Sequence, residues 1–217
     1  VQAGDVLWQP SAGVVEAANL TRLMRWLATE LNLNFASYDE LWRWSVTELG
    51  AFWQAIWEFC GVKASQRGNV ALANDQMPGA VWFPKARLNY AENIFANRTD
   101  ERPALLYEDE EGPLVEISWA EFYRQTAVLQ QTLKQLGVGK GDRVVAYLPN
   151  IPEAIIACLA TVSLGAVWSS ASPDFGSKAV LDRFAQIEPK LLITVDGYRY
   201  NGKPFDRRDI VQQLQAG

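Results

Sequence analysis

From Gly141 onward the chain alternates between short apolar strands and helices, and this rhythm limits the available folds more than any other feature. Arg143–Leu148 reads as a strand and Ile151–Leu164 as an apolar helix with Pro152 near its first turn. Ala166–Ser170 is a second strand, Gly176–Gln186 a helix, Lys190–Val195 a third strand and Asp206–Gln215 a last helix. Short strands separated by helices pair in parallel through βαβ crossovers. The expectation is an open α/β sheet whose ligand loops lie at the carboxyl ends of its strands.

The amino-terminal part follows a different pattern. Residues 1–15 read as irregular. Val15–Leu31 carries Leu20, Leu23, Met24, Leu27 and Leu31 at helical spacing. Ser37-Tyr38-Asp39-Glu40 is a capping box opening a helix to about Leu49, and a third helix ends at Gly61. Trp42, Trp44, Trp53 and Trp57 crowd this region. A stacking platform for bases or sugars is one reading, and core packing of large indoles in a helical layer is the simpler one. Residues 62–90 read as loop, with a helix starting near Asn89. Ala104–Asp109 and Leu114–Ser118 form a hairpin whose tip holds four acids, Glu108–Glu111. A solvated tip is the simpler reading of that run and a metal site the sharper one. Ser118-x-x-Glu121 opens a long amphipathic helix with Phe122, Leu129, Leu133 and Leu136 on one side, closed by Gly137.

Composition removes several function classes. Hydrophobic residues make up 49% of the 217, enough for a core. A net charge of −5 argues against a nucleic-acid partner, which calls for a basic face. There is no histidine, so Ser–His–Asp and Cys–His hydrolysis and the HExxH zinc site are excluded. Cys60 and Cys158 are the two cysteines; they form no CxxC pair and point to a reducing compartment. No apolar run approaches the ~20 residues of a membrane span, and the amino terminus does not resemble a secretion signal. The chain starts at Val1 rather than Met and stops at Gly217 without a terminating element, which reads as a piece of a larger enzyme.

Three loops are candidates for chemistry. Gly137-Val138-Gly139-Lys140-Gly141-Asp142 looks like a phosphate loop, but it follows a helix and precedes a strand, the reverse of a Walker loop. Its glycines fit a helix–strand turn. Ser172-Pro173-Asp174-Phe175-Gly176 follows a strand and precedes a helix, where free N–H groups can face an anion. Ser172 or Asp174 can equally cap that helix, and on the residues alone ligand contact and capping stand level. Tyr198-Arg199-Tyr200-Asn201-Gly202-Lys203 follows the last strand and offers two cations and two phenols to a nucleotide. A solvated loop explains it more simply.

Ile117–Phe122, then Lys140-Gly141-Asp142-Arg143-Val144, then Gly165–Gly176 resemble, in that order, the adenylate-forming acyl-CoA synthetases. Trp168–Phe184, Pro189-Lys190-Leu191 and Tyr200-Asn201-Gly202-Lys203 are most similar to the acetoacetyl-CoA synthetase family, and the Trp-rich Ser37–Cys60 stretch is similar to the helical extension of the acetyl- and acetoacetyl-type enzymes. The resemblance implies a helical extension with linker over 1–88 and an incomplete α/β portion of the large adenylate-forming domain over 89–217. It implies activation of acetoacetate by ATP as an acyl-adenylate, with Mg²⁺ on the phosphates, and transfer of the acyl group to CoA with release of AMP. The family's phosphate loop, adenine motif and catalytic lysine come later in its chain, so no catalytic or metal-ligating residue is assigned and the fragment is expected to be inactive alone. Part of the CoA nucleotide site carries over: Ser172, Pro173 and Asp174, with basic residues near Tyr200 and Lys203. Tyr200 stands where acetyl-type enzymes tend to have arginine, and Asp174 stands for a glycine. Lys203, with Arg199, is the expected CoA-phosphate contact.

Two alternatives remain at this stage: a ligase for acetate or another short acid, and a non-catalytic α/β interaction module with the Trp-rich helices as its surface. The sequence argues against an independent dehydrogenase, because no GxGxxG follows a predicted strand. The expected partners are small molecules (acetoacetate, ATP, CoA), with no nucleic acid and no membrane. An unfinished sheet edge predicts self-association, and the substrates imply a cytoplasmic location.

Overall fold

The computed structural model describes residue 2 and residues 4–216. The two ends singled out above, Val1 and Gly217, lie outside the described residues. The chain divides into two compact units, Val1–Arg87 and Leu88–Gly217.

The first unit holds helices α1 (Ala12–Ala17), α2 (Asn19–Leu31), α3 (Tyr38–Thr47) and α4 (Leu49–Phe59), and a small hairpin of β1 (Leu72–Asn74) and β2 (Val81–Trp82). Two expectations are corrected here. Helix begins already at Ala12, where the Ser11 hydroxyl caps Val14 N, and Ala18 adopts an extended conformation that splits the expected Val15–Leu31 helix. The break leaves no orphaned carbonyl at Val15, which accepts from Ala18 N and from the Thr21 hydroxyl. The loop-like 62–90 stretch contains the β1–β2 pair. Leu23, Leu27, Leu41 and Ala55 form the core of the unit. Trp57 is buried, its ring 4.8 Å from that of Phe83, and Trp44 sits between Phe35 and Phe52. These two indoles follow the packing reading, whereas Trp42 and Trp53 remain exposed.

The second unit opens with α5 (Tyr90–Ala96), followed by a hairpin of β3 (Leu105–Tyr107) and β4 (Val115–Ile117), then α6 (Trp119–Gln135). Asn89 caps α5 and also donates to Val162 O at 2.8 Å, tying the start of this unit to the crossover layer. The α/β part follows: β5 (Arg143–Tyr147), α7 (Pro152–Ser163), β6 (Val167–Ala171), α8 (Ser177–Phe184), a 3₁₀ turn (Ala185–Ile187) and β7 (Leu191–Thr194). These strands form a parallel sheet in the order β6-β5-β7, the βαβ arrangement that the alternation predicts. Central β5 is buried from Val144 to Tyr147. Its residues alternate between two cores, as period-2 pleating requires. Val145 and Tyr147 pack with Ala171, Val180, Phe184 and Leu214, while Val144 packs with Leu133, Val138, Ala160 and Ala166.

The 137–142 segment is a helix–strand turn, with Gly137 and Gly141 at φ +80° and +84°. Its conformation is fixed by Lys190, which donates to Gly137 O at 2.6 Å and to Asp142 Oδ2 at 2.8 Å.

After β7 the chain departs from the expected rhythm. The Tyr198–Lys203 stretch, read as a loop, is an antiparallel hairpin of β8 (Gly197–Tyr200) and β9 (Lys203–Asp206), followed by α9 (Arg208–Ala216). Asn201 and Gly202 form its two-residue turn with φ +52° and +71°. Asn-Gly is the pair that tolerates two successive positive φ values in a turn matching strand twist. The strands on either side carry too little apolar alternation to be recognised from composition.

Candidate functional site

The carboxyl ends of all three parallel strands open onto one cleft of about 740 Å³. Pro149–Ile151 follows β5, Ser172–Asp174 follows β6, and Val195 leads from β7 into the β8–β9 hairpin; the 107–111 tip of the β3–β4 hairpin closes another side. Ligands of open α/β sheets gather at this end.

The 172–174 loop is built from below. Tyr147 is fully buried at the last position of β5, and its hydroxyl lies 2.7 Å from Pro173 O and 2.9 Å from Phe175 O. These carbonyls sit beside an apolar core, and without that hydroxyl they lose a partner that water cannot easily replace. Burial pushes the Tyr147 phenol above its ordinary pKa, so it stays a donor. Pro173 is itself among the fully buried side chains. Ser172 donates to Asp174 Oδ2 at 2.9 Å. Neither side chain caps α8: Gly176 is its N-cap and makes no side-chain bond. The capping alternative for Ser172 and Asp174 is therefore overturned, because the hydroxyl donates to the carboxylate and the carboxylate turns to the hairpin.

Asp174 Oδ1 accepts a hydrogen bond from the Tyr198 hydroxyl. That phenol, followed by the Ser172 hydroxyl, holds the Asp174 carboxyl below the usual range. Tyr198 stacks on Phe205 at 5.3 Å, and the Arg207 guanidinium lies over both rings and donates to the Tyr198 hydroxyl at 2.9 Å. The register pairs Tyr198 with Phe205, Tyr200 with Lys203 and Arg199 with Pro204. Opposed residues share a face and successive ones alternate. Tyr200 and Lys203 thus lie on the face that reaches Asp174, and Arg199 lies on the other. Tyr200 is 63% exposed.

The hairpin turn and Arg199 are engaged by the acid run, which lines the same cleft. Glu110 accepts from Asn201 N at 2.6 Å and from Gly202 N at 2.7 Å, and Glu111 pairs with Arg199 at 2.6 Å. The Gly202 and Asn201 amides hold the Glu110 carboxyl below its usual pKa. The acids do sit at a hairpin tip, as expected, but two of them are bound to a second hairpin rather than merely solvated. Among the described residues no group of three or more His, Cys, Asp or Glu side chains is placed to hold a metal ion.

The cleft therefore brings together Ser172, Pro173, Asp174, Arg199 and Tyr200, while Lys203 is not one of its lining residues and stands beside Tyr200 on the hairpin. It separates Arg199 from Lys203, which the sequence had grouped. Sequence reading missed Tyr147, and it offered Tyr198 to a nucleotide and Glu110 and Glu111 to solvent or a metal rather than to the loop and hairpin contacts they make. Tyr147 carries a faint signal, a phenol ending an otherwise aliphatic strand. Glu110 carries none, since its partners lie 91 and 92 residues away.

Comparison with known proteins adds the following. Residues 93–216 match the family described as AMP-binding enzyme, and residues 38–94 match the acetyl-coenzyme A synthetase N-terminus. Acetoacetyl-coenzyme A synthetase of Rhizobium meliloti is 44% identical over 216 residues, covering 100% of this chain and 33% of the relative. Acetoacetyl-CoA synthetase of Macaca fascicularis is 38% identical over 217 residues, covering 98% of this chain and 32% of the relative. The solved structure of acetoacetyl-CoA synthetase from Streptomyces lividans superimposes with a TM-score of 0.91 at 48% identity, covering 96% of this chain and 33% of that one. The chain spans about a third of the length of the relatives it matches.

Proposed function

Because the chain belongs to the AMP-binding enzyme family, we propose that it forms the amino-terminal part of an ATP-dependent acid–CoA ligase acting on acetoacetate. The names of its relatives as acetoacetyl-CoA synthetases and its match along nearly the whole chain to a solved acetoacetyl-CoA synthetase support this reading. In the proposed reaction a carboxylate oxygen of the acid attacks the α-phosphorus of ATP, a P–O bond forms, and pyrophosphate leaves. The CoA sulfur then attacks the acyl carbonyl, forming the thioester and releasing AMP. A free carboxylate is a poor acyl donor, and AMP as leaving group makes it reactive. Mg²⁺ would neutralise phosphate charge during the first step; among the described residues no group of three or more His, Cys, Asp or Glu side chains is placed to hold it.

The part we assign to these residues is one wall of the CoA nucleotide site. The observation that carries it is the Asp174–Tyr198 hydrogen bond. It holds the 172–174 loop against the hairpin face bearing Tyr200 and Lys203, at the ligand end of the sheet. An exposed phenol beside an ammonium is suited to an adenine ring and a phosphate, through stacking and charge. Arg199 lines the cleft but is already paired with Glu111, so we assign the phosphate contact to Lys203, which stands beside Tyr200, and Arg199 acts through the hairpin. These 217 residues are not expected to complete the reaction alone.

The test uses the full-length enzyme with ATP, Mg²⁺ and CoA. AMP formation with acetoacetate well above that with acetate is the expected result; a preference for acetate keeps the ligase and overturns the acyl assignment. Lys203→Ala should raise the KM for CoA and leave that for ATP unchanged. A CoA KM equal to that of the parent enzyme would remove Lys203 from the site. ATP and CoA as substrates support a cytoplasmic location. Strands β6 and β7, each paired on one side within the parallel sheet, support self-association of the 217-residue stretch expressed alone; a strictly monomeric profile on size-exclusion with light scattering would contradict it.

A further inference from the structure

The two bonds that Glu110 accepts from the β8–β9 turn lie outside the ladder of either hairpin. Each hairpin closes its own ladder, and the contact joins residues 91 and 92 positions apart. A two-stranded hairpin is marginal by itself, so β8–β9 needs outside anchors to present a defined face. Asp174 supplies one through Tyr198, on the face that carries Tyr200 and Lys203. Glu110 supplies the other at the turn, as a carboxylate accepting from two successive N–H groups, an arrangement stronger than neutral pairs. Asn201 and Gly202 are both at positive φ, and their successive N–H groups donate to the two oxygens of this one carboxylate. Glu111 adds its pair with Arg199.

We infer that Glu110 is a positioning residue for the CoA nucleotide wall: it fixes the Asn201–Gly202 turn so that Tyr200 and Lys203 face the 172–174 loop in one geometry. This rests on the nucleotide-wall reading above. Glu110 lines the same cleft, but both its carboxylate oxygens are engaged by the turn amides. It removes the freedom of the hairpin that nucleotide binding would otherwise have to restrict, and preordering of this kind appears as affinity.

The experiment compares Glu110→Gln and Glu110→Ala with the parent in the full-length enzyme. Glu110→Gln keeps the volume and loses one acceptor. Amide hydrogen exchange is read on peptides covering 198–206, alongside the KM for CoA and the acid-dependent exchange of pyrophosphate into ATP. That last reaction does not use CoA and reports that the enzyme is folded and makes adenylate. Expected are exchange in the turn faster by about tenfold or more, the size of one lost charge-assisted bond, and a CoA KM raised about three- to tenfold. Pyrophosphate exchange stays within about twofold, with Glu110→Gln falling between parent and Glu110→Ala. Unchanged amide exchange in either variant that retains pyrophosphate exchange overturns the inference. Faster amide exchange with an unchanged CoA KM also overturns it. In that case Lys203→Ala separates the causes: a raised KM there leaves the wall in place without Glu110's role, and no effect in either variant removes the nucleotide wall itself.

Discussion

Strand β5 and the β8–β9 hairpin lie within one unit and border the same cleft, yet they are held by different forces. Val144, Val145, Ala146 and Tyr147 of β5 are buried on both faces and fixed by two apolar cores. The hairpin has Tyr200 and Lys203 exposed and is fixed at separate points by Asp174, Glu110, Glu111 and Arg207. Burial is non-directional and tolerates any apolar residue of fitting volume, whereas a polar anchor fails when one atom is moved. A ligand surface can be rebuilt on the second kind of element without unfolding the first.

The difference can be broken from the sheet side. Leu133 is fully buried on α6 against Val144 and Ala160. Leu133→Ala should lower unfolding stability by about 2–5 kcal/mol, measured by urea titration. Exchange protection of 198–206 should fall only in step with global unfolding. A selective loss in the hairpin would mean that the two elements are not independent.

Gly197 tests the hairpin itself. A Cβ at this position would meet Phe205 O at 2.7 Å, a backbone atom that cannot swing aside. Gly197→Ala should cost about 1–3 kcal/mol locally and unpair Tyr198 from Phe205, visible as faster amide exchange in β8 and β9 with β5 unchanged. Tyr147→Phe probes the joint between the regions. It keeps the apolar ring and deprives Pro173 O and Phe175 O of their donor, at about 1–3 kcal/mol, and it should loosen the 172–174 loop while the parallel ladder stays protected.

Acid gives a graded test. Asp174 has a depressed pKa in the folded chain, so its bond to Tyr198 stabilises above the ordinary aspartate value and is lost as pH falls through the depressed one. The Tyr198 ring signal in NMR should therefore stay constant from neutral pH down to about 4 and move only in more acid solution. Movement near pH 6 would contradict the assignment. The smallest effect belongs to Glu111→Gln, since its pair with Arg199 is largely solvated; a loss of about 0–1 kcal/mol is expected.

Legibility from sequence followed the same division. The β5, α7, β6, α8 and β7 elements were readable because an apolar strand or helix advertises its burial in a local period. The turn after α6 was readable from Gly137 and Gly141, which sit at positive φ. The β8–β9 hairpin was read as a loop because its apolar content is low and the Asn201-Gly202 turn signal lay inside a short, charged run. Ser172 and Asp174 stood level between capping and ligand contact because local spacing permits both. The Ser172 hydroxyl and the approach of Tyr198 engage the carboxylate instead of the helix start.

By itself, the sequence determined the strand–helix order, the parallel pairing and the end of the sheet at which ligand loops gather, because hydrophobic periodicity and chain connectivity act over a few residues at a time. Tertiary structure alone decided which polar groups meet. Glu110 reaches Asn201 and Gly202, Arg199 and Lys203 part to opposite faces, and Tyr147 supports Pro173 and Phe175 from beneath. Such contacts depend on distances of a few ångströms between segments far apart in the chain, and no local pattern of residues encodes them.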